Sequence, residues 1–331
     1  MNLKDKRVLV TGGDGFIGSH LCETLVGNCA HLKATVLYNS FNHHGWLENV
    51  SSKQEMEICA GDIRDSDFCN QIMKDVDVVF HLAALIAIPY SYNAPSSYVQ
   101  TNVQGTLNLL QAARTQGVDR FLQTSTSEVY GTARTVPIHE SHPLQAQSPY
   151  SASKIASDAL AFSFYSSFEL PVVIVRPFNT FGPRQSARAF IPTVISQVAV
   201  GIKEIKTGNL SPTRDFNYVK DTCKGFVEIA RSEKVLGETI NIGSGKEISM
   251  EDLLHLILDL MNADDVKTSL DPQRVRPQKS EVERLLADSS RLVELTGFSP
   301  DYGLKDGLSE TIEWFLNEEN LKQYKAGQYN V

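Results

Sequence analysis

Cysteine, long apolar runs and positive charge are all scarce in this chain, and each scarcity excludes a class of protein. The five cysteines are odd in number and lack Cys-x-x-Cys spacing, so we interpret them as reduced packing residues and expect no metal site. No stretch approaches the roughly 20 apolar residues that cross a bilayer. Lys and Arg number 31 against 39 Asp and Glu, which leaves no broad basic surface for nucleic acid. We therefore expect a cytoplasmic protein without nucleic-acid or membrane partners.

Short apolar runs alternate with amphipathic stretches, as in a parallel sheet covered by helices. Candidate strands are Arg7 to Val10, Ala34 to Leu37, Glu57 to Cys59, Val76 to His81, Arg120 to Thr124 and Val172 to Val175. Helical periodicity covers Gly18 to Val26, Thr101 to Gln116, Met250 to Met261 and Leu308 to Phe315. The pattern predicts an α/β fold, with a Rossmann-type doubly wound parallel sheet over residues 1–177 and a smaller α/β C-terminal lobe over residues 178–331. The chain is free to cross between the two, and we expect the tail after Trp314 to fray.

A glycine-rich loop joins the first strand to the first helix. Glycines stand at positions 12, 13, 15 and 18, so both G-x-G-x-x-G and G-x-x-G-x-x-G can be read. Glycine lets the backbone turn tightly beside a pyrophosphate, and the free N–H groups and dipole of a helix start favour its charge. The position between a strand and a helix favours a dinucleotide site over a plain turn.

The residues expected to hold the adenosine half of the dinucleotide do not decide between NAD and NADP. An acidic residue commonly ends the second strand and binds the ribose hydroxyls, but here Tyr38 and Asn39 stand there. Because no arginine awaits a 2′-phosphate, NAD is favoured and NADP stays open. After the third strand, Asp62 can either accept from an adenine amino group or form part of a surface turn.

Tyr150 and Lys154 stand four residues apart at the start of a helix that Pro149 suits. Their side chains share one helix face. We expect the ammonium to lower the pKa of Tyr150, so that the phenol exchanges a proton with a substrate hydroxyl near neutral pH. Active sites gather at the carboxyl ends of parallel strands, which is where this pair is predicted to lie.

With these motifs, the chain resembles the extended short-chain dehydrogenase/reductase family of nucleotide-sugar epimerases and dehydratases over nearly its whole length. Further matching motifs are Gly61-Asp62, His81-Leu-Ala-Ala, Tyr98 with Asn102 and Gly105-Thr106, Arg176-Pro-Phe-Asn-Thr-Phe-Gly-Pro-Arg-Gln, Arg214-Asp-Phe-Asn-Tyr-Val-Lys-Asp and Asn241-Ile-Gly. The resemblance implies an NAD cofactor, a nucleoside-diphosphate sugar bound by the second lobe, and a homodimer built on helices Thr101 to Gln116 and Ser151 to Phe168.

The resemblance also implies site residues. Thr126, Tyr150 and Lys154 would form the oxidation apparatus, and Lys154 would also hold the nicotinamide ribose. The implied cofactor-binding residues are Gly12, Gly15, Phe16, Ile17, Gly18, Tyr38, Asn39, Asp62, Ile63, Leu82, Ala83, Ala84, Tyr150 and Lys154. The implied substrate-binding residues are Asn179, Arg184, Arg214 and Arg276.

The segment around Glu128 separates activities within this family. Sugar-nucleotide 4,6-dehydratases typically have a Glu at this place, and 4-epimerases generally lack it. The resemblance implies that Tyr150 takes the proton of the sugar 4-hydroxyl while hydride passes from carbon 4 to the cofactor. Glu128 would then remove the proton at carbon 5, water would leave from carbon 6, and the hydride would return there. Ser127 stands where many dTDP-glucose dehydratases have an Asp that protonates the leaving hydroxyl, so the identity of that acid stays open, with Glu128 as one candidate.

Four segments narrow the resemblance further. Thr126-Ser-Glu is similar to GDP-mannose 4,6-dehydratases, and Leu37-Tyr-Asn-Ser-Phe-Asn, Gly45-Trp-Leu and Ser280-Glu-Val-Glu-Arg-Leu-Leu-Ala-Asp resemble dehydratases of legionaminic-acid pathways. The prediction is a nucleotide-sugar 4,6-dehydratase, a hydro-lyase, acting on UDP- or GDP-linked N-acetylglucosamine. The alternatives are a 4-epimerase, a 5,6-dehydratase, and a non-catalytic cofactor-sensing protein.

Overall fold

The structure is a computed structural model that describes residues 1–275 and 277–328. The strands are β1 (Arg7–Thr11), β2 (His31–Leu37), β3 (Glu57–Gly61), β4 (Val78–His81), β5 (Arg120–Thr124), β6 (Val172–Pro177), β7 (Asn179–Phe181), β8 (Glu204–Thr207), β9 (Thr213–Tyr218), β10 (Thr239–Ile242), β11 (Glu247–Ser249), β12 (Lys267–Leu270) and β13 (Arg284–Leu285). The helices are α1 (Phe16–Leu25), α2 (Ser66–Ile72), α3 (Ile88–Asn93), α4 (Pro95–Tyr98), α5 (Gly105–Gln116), α6 (Pro149–Phe168), α7 (Phe190–Ala199), α8 (Val219–Arg231), α9 (Met250–Leu260), α10 (Ser290–Thr296), α11 (Leu304–Leu316) and α12 (Glu318–Leu321).

Seven strands form one parallel sheet in the order β10-β6-β5-β4-β1-β2-β3. The chain order reverses between β1 and β4, which is where doubly wound sheets open a crevice for ligands. The α/β Rossmann-type prediction is confirmed, and the sheet contains all six predicted strands. Its seventh strand, β10, comes from the second half of the chain and pairs with β6. The second half therefore completes the sheet of the first, and the division at residue 177 stays a prediction.

Alternate residues of the central strands supply the two core layers. In β1, Val8 and Val10 face the layer that contains α1 and α8, and Leu9 faces the layer that contains α5 and α6. In β5, Leu122 and Phe121 divide between the layers in the same way. Both faces of this sheet are apolar because helices cover both.

Residues beyond the sheet form a second region around β9. This strand pairs with β7, β11 and β13, and β8 pairs separately with β12. Because Asn179 begins β7 directly after β6 ends, the second region is joined to the carboxyl edge of the main sheet. The site is therefore expected between β9 and the ends of β1, β4 and β5.

Two local expectations from the sequence are corrected. Residues Val99–Gln104 form a π-helical turn, so α5 begins at Gly105 rather than at Thr101. The tail after Trp314 does not fray over the described residues, because it forms α12 and then packs Tyr324 against Phe315 with ring centroids 4.7 Å apart.

The described residues contain no helix with both the length and the apolar character needed to span a bilayer.

Candidate active site

The glycine loop is packed so closely that side chains cannot enter it. A Cβ on Gly18 would lie 2.0 Å from the carbonyl oxygen of Gly12, and a Cβ on Gly12 would lie 2.8 Å from the backbone N of Ala83. Gly12 also has a φ of +71°, which disfavours any other residue. The loop therefore needs glycine for close backbone approach, as a pyrophosphate cradle does.

Helix α1 begins directly after this loop. Gly15 is its N-cap and supplies no side-chain hydrogen bond. The first backbone N–H that donates within the helix is that of Ser19, to the carbonyl of Gly15 at 3.0 Å, so the N–H groups of Phe16, Ile17 and Gly18 have no partner within the helix. They form the helix start at which the anionic pyrophosphate of a dinucleotide is favoured.

The ends of β2 and β3 flank the expected adenosine position. Tyr38 is 71% exposed, and the side-chain amide of Asn39 binds the backbone of His43, with Nδ2 2.7 Å from its carbonyl oxygen. Asp62 accepts from the backbone N of Arg64 at 2.9 Å, and the adjacent guanidinium lowers the pKa of this carboxyl. Ile63 is buried against Gly105, where a Cβ would lie 2.6 Å from its Cδ1. The predicted roles of these residues stay predictions, and Asn39 and Asp62 already have partners within the chain.

The loop after β4, which contains Leu82, Ala83 and Ala84, is held by a hydrogen-bond chain. Because the hydroxyl of Thr106 donates to the carbonyl of Asn102 at 2.6 Å, it accepts from Nε2 of His81 at 3.0 Å. This leaves Nδ1 of His81 to accept from the hydroxyl of Thr11 at 2.8 Å. The Thr11 oxygen then accepts from the backbone N of Ala83 at 3.2 Å.

Burial lowers the pKa of His81 to about 3, so the imidazole ring stays neutral. Each hydrogen bond in the series from Thr106 to Ala83 therefore keeps the same donor and acceptor. The glycine loop, the unpaired N–H groups at the start of α1 and the ordered loop after β4 together fit a dinucleotide such as NAD.

The end of β5 carries the predicted catalytic segment. Residues Ser127–Tyr130 form a 3₁₀ turn whose N-cap, Thr126, accepts from the backbone N of Glu128 at 3.2 Å. Ser127 is 3% exposed, whereas Glu128 is only partly buried. Burial raises the pKa of Tyr150, and the charge of Glu128 raises it further.

Helix α6 presents Tyr150 and Lys154 to this segment. A capping box of Ser148 and Ser151, with bonds of 3.1 Å in both directions, fixes the helix start one residue before Tyr150. Tyr150 is 7% exposed and forms a hydrogen bond with Thr126. Nζ of Lys154 donates to the carbonyl of Thr124 at 2.6 Å. The structure therefore brings together four of the predicted catalytic side chains, with Ser127 between them in sequence.

The expected lowering of the Tyr150 pKa is wrong for the protein chain by itself. Burial raises the pKa of Tyr150, and burial lowers the pKa of Lys154 to about 8. Helical spacing predicted that both side chains share one face, but it carried no information on desolvation, which is the largest influence on the pKa of each group.

Sequence reasoning missed a buried ionic network behind Lys154. Oδ2 of Asp158 accepts from Oγ of Ser125 at 2.7 Å and from a guanidinium N of Arg176 at 3.0 Å. Arg176 also donates to the hydroxyl of Tyr130 at 3.0 Å. The carboxylate of Asp158 opposes the lowering of the Lys154 pKa. The available signal was spacing, since Asp158 follows Lys154 by one further turn of α6.

The second region places two predicted substrate residues at the edge of the crevice. Arg214, in β9, is 6% exposed, and its guanidinium lies 3.5 Å from a carboxylate oxygen of Glu281. Asn179, in β7, has a buried Oδ1 that no donor of the described residues reaches. The predicted residue Arg276 lies outside the described residues.

Hydrogen bonds of Ser280 join the second region to the first half of the chain near the start of α6. The hydroxyl groups of Tyr92 and Ser280 lie 2.6 Å apart, and Ser280 donates to the carbonyl of Gln147 at 2.7 Å. This contact links α3 to the second region.

Arg184 lies beside α1 instead. Its guanidinium forms a bidentate pair with Glu23 at 2.8 and 2.9 Å and donates to Oγ of Ser19 at 3.3 Å. Burial opposes the ionised form of Glu23, but hydrogen bonds from His20 and Arg184 together lower the pKa of this carboxyl to about 2. The predicted substrate role of Arg184 stays a prediction, and its guanidinium already has these partners within the chain.

Comparison with known proteins gives the same family. The family model described as GDP-mannose 4,6 dehydratase matches residues 9–311. A dTDP-glucose 4,6-dehydratase of Streptomyces antibioticus is 33% identical over 97% of this chain and 96% of its own. The crystal structure of the dTDP-glucose 4,6-dehydratase DesIV from Streptomyces venezuelae, with NAD bound, has a TM-score of 0.87 at 30% identity and covers 97% of this chain and 100% of that one.

An epimerase structure is equally similar. The UDP-N-acetylglucosamine 4-epimerase of Methanobrevibacter ruminantium, in complex with UDP-N-acetylmuramic acid, has a TM-score of 0.85 at 35% identity and covers 95% of this chain and 99% of that one. The glycine cradle, the Tyr150 and Lys154 pair and these matches along the whole chain have one explanation: the protein is an enzyme of the extended short-chain dehydrogenase/reductase family of NAD-dependent nucleotide-sugar dehydratases and epimerases.

Proposed function

We propose that this enzyme is a 4,6-dehydratase that converts UDP- or GDP-linked N-acetylglucosamine to its 4-keto-6-deoxy product, with NAD as cofactor. The observation that carries the proposal is the position of Glu128 in the 3₁₀ turn that follows β5, at the strand end where Lys154 of α6 donates to the carbonyl of Thr124. An epimerase needs one acid–base group at carbon 4, whereas a dehydratase also needs a base for carbon 5.

The proposed reaction divides the proton transfers between two side chains. Tyr150 accepts the proton of the sugar 4-hydroxyl, and Thr126 orients the phenol through their hydrogen bond. Bound NAD supplies the acceptor for the carbon 4 hydride and the donor that returns it to carbon 6. Glu128 removes the proton at carbon 5 and hands it to the hydroxyl that leaves carbon 6, and water departs. The proton that Tyr150 took from the 4-hydroxyl is released and balances the one that is added to carbon 5, so both side chains regain their starting states and the net change is the loss of one water.

Glu128 is preferred over Ser127 as the acid for the leaving group. A serine hydroxyl is a poor acid, and Ser127 is 3% exposed with its turn facing the protein interior. Glu128 is only partly buried, so its carboxyl can exchange a proton across the crevice. Lys154, held by Thr124, would keep its charge near the phenol and the cofactor ribose.

The diphosphate of the substrate would be held by Arg214, Arg276 and Asn179. Arg214 is a buried cation in a protein whose formal charge is -8, and the side-chain amide of Asn179 can donate from Nδ2 to a phosphate oxygen. N-acetylglucosamine as the sugar is supported by the segment similarity around Gly45-Trp46 and by the sugar named for the Methanobrevibacter relative.

The decisive experiment is a mass-resolved assay with UDP- and GDP-N-acetylglucosamine, and with dTDP-glucose, UDP-glucose and GDP-mannose for comparison. The proposal expects loss of one water and a ketone at carbon 4. Unchanged mass with inversion at carbon 4 would show an epimerase, the candidate that the Methanobrevibacter relative favours. Loss of water without a ketone, seen by NMR, would show 5,6-dehydration. No product from any sugar, with NAD still bound, would favour a cofactor-sensing protein.

The Glu128→Gln variant tests the assigned base. Turnover should fall by about 10²- to 10⁴-fold, whereas NAD affinity and the first hydride transfer, seen as NADH absorbance on mixing with substrate, should persist. Glu313→Gln, an exposed substitution on α11, is the matched control and should leave turnover unchanged. Normal turnover by Glu128→Gln would remove Glu128 from the mechanism.

We also infer a cytoplasmic homodimer. Phe162 and Phe168 of α6 are 49% and 48% exposed, which is unusual for such large apolar side chains and suits a helix-to-helix interface with a second copy. All five cysteines are free, as expected in a reducing compartment.

A further inference from the structure

We propose that the C-terminal tail is a positioning element of the dinucleotide site and acts through an aromatic cluster of Trp46, Trp314, Phe315 and Tyr324. None of these residues belongs to the glycine loop or to the catalytic segment. The cluster joins the end of the chain to the segment Gly45–Asn49, which lies behind the glycine loop.

The rings of the cluster pack closely. Trp46 stacks on Tyr324 with centroids 6.0 Å apart and an interplanar angle of 27°, and it meets Trp314 edge-on at 5.6 Å. Tyr324 in turn contacts Phe315 at 4.7 Å, and Phe315 is fully buried in the main core. The tail is thus anchored to the core at one end and to Trp46 at the other.

Trp46 is tied directly to the glycine loop. Its backbone N donates to the carbonyl of Asp14 at 3.0 Å. At Gly45, a Cβ would lie 2.5 Å from that same oxygen, so the two segments are in close contact. The carboxylate of Asp14 accepts from the backbone N of Leu37, the residue before the predicted adenosine-side Tyr38, at 3.2 Å. Asp14 therefore couples Trp46 to both halves of the expected cofactor position.

A second contact reaches the other side of α1. The hydroxyl of Tyr324 donates to the carbonyl of Gln185 at 2.9 Å. The preceding residue, Arg184, forms the bidentate pair with Glu23 of α1 and contacts Ser19 on the same helix. The tail thereby supports the helix whose N-terminus would receive the pyrophosphate.

These contacts bear on affinity because a loop that is already ordered loses less entropy on binding than a mobile one. If the cluster opens, Gly45–Asn49 loses its outer support and the Asp14 carbonyl loses a fixed partner. Because the cluster acts through Asp14 and α1, opening it should weaken the affinity for NAD and should leave the rate of the chemical step unchanged.

The test measures NAD affinity by titration calorimetry in Trp46→Ala and Tyr324→Ala, with Tyr324→Phe to separate the ring from its hydroxyl. One aromatic contact is worth about 0.5–1.5 kcal/mol, so each alanine variant should raise the Kd for NAD by about 2- to 13-fold. The double variant should be little worse than Trp46→Ala, because both substitutions break the same link. At saturating NAD, kcat should return to the wild-type value.

Leu316→Ala is the control, because Leu316 lies in α11 beside the cluster but is 57% exposed. Trp46 and Trp314 are the chain's two tryptophans, so a red shift of intrinsic emission in Tyr324→Ala reports opening of the cluster directly. The proposal is overturned by an unchanged Kd in either alanine variant, or by an equal rise in Leu316→Ala. NAD titration needs no sugar substrate, so this result is independent of whether the enzyme is a dehydratase.

Discussion

Replacing Lys154 by Met should make the protein more stable at neutral pH while abolishing catalysis. Lys154 is 4% exposed, and burial lowers its pKa from 10.5 to about 8. A lowering of this size means that the charged form costs about 3 kcal/mol in the folded protein at pH 7. Met fills a similar volume without charge but gives up the charge-assisted bond to the Thr124 carbonyl, worth about 1.5–3 kcal/mol. The free energy of unfolding should therefore rise by only about 1 kcal/mol at pH 7.

The pH dependence of this gain has a definite sign. The folded-state pKa of Lys154 lies below the unfolded one, so the burial penalty of the wild type is fully present below pH 8. It disappears as pH rises from 8 towards 10.5, because the folded wild type then holds a neutral amine and the unfolded chain binds more protons. The advantage of Lys154→Met should accordingly be largest at pH 7 and nearly gone at pH 10.

Urea unfolding of NAD-free protein, followed by tryptophan fluorescence at pH 7 and pH 10, measures both quantities. Lys203→Met is the control, since Lys203 is 67% exposed and its replacement should change stability by less than about 0.5 kcal/mol at either pH. The reasoning would be refuted if Lys154→Met were less stable than the wild type at pH 7. It would be refuted equally by a difference that is the same at both pH values.

Three further substitutions test other parts of the structure. Gly18→Ala should raise the Kd for NAD by about 100-fold or more in calorimetry, because its Cβ would lie 2.0 Å from the carbonyl of Gly12, and a change under threefold would contradict the cradle. Asp158→Asn should lower the urea-unfolding free energy by about 3–5 kcal/mol, since it leaves the guanidinium of Arg176 buried without its counter-charge, and a loss below 1 kcal/mol would speak against this pairing. Phe162→Glu should convert the dimer to monomer in size-exclusion chromatography with light scattering, and an unchanged mass would place the interface elsewhere.

The backbone elements that carry the site were predictable because their signals are local. Apolar runs bounded by turns located β1 and β5, and the glycines at 12, 15 and 18 located the start of α1 within two residues. Ser148-Pro149 likewise marked the beginning of α6, and the helical spacing put Tyr150 and Lys154 on one face.

Contacts between distant segments were not predictable from such patterns. Asp158 and Arg176 meet only because β6 lies beside the helix that β5 and the loop after it position. The raised pKa of Tyr150 depends on burial by surrounding chain, which residue spacing does not encode. The docking of Tyr324 on Trp46 joins positions 278 residues apart in sequence, and tail composition alone predicted fraying.

The parallel pairing of β10 with β6 restricts how this enzyme can be divided or can move. A fragment ending at residue 177 would lack β10 and would expose the N–H and C=O groups along the edge of β6 without partners. Such an unpaired strand edge promotes aggregation with other chains. The residues after 178 also cannot move as one rigid body relative to the first half. Their strand β10 (Thr239–Ile242) is hydrogen-bonded into the sheet that carries the cofactor loop. Any closing motion over a sugar nucleotide must therefore pivot within the second half, on either side of β10.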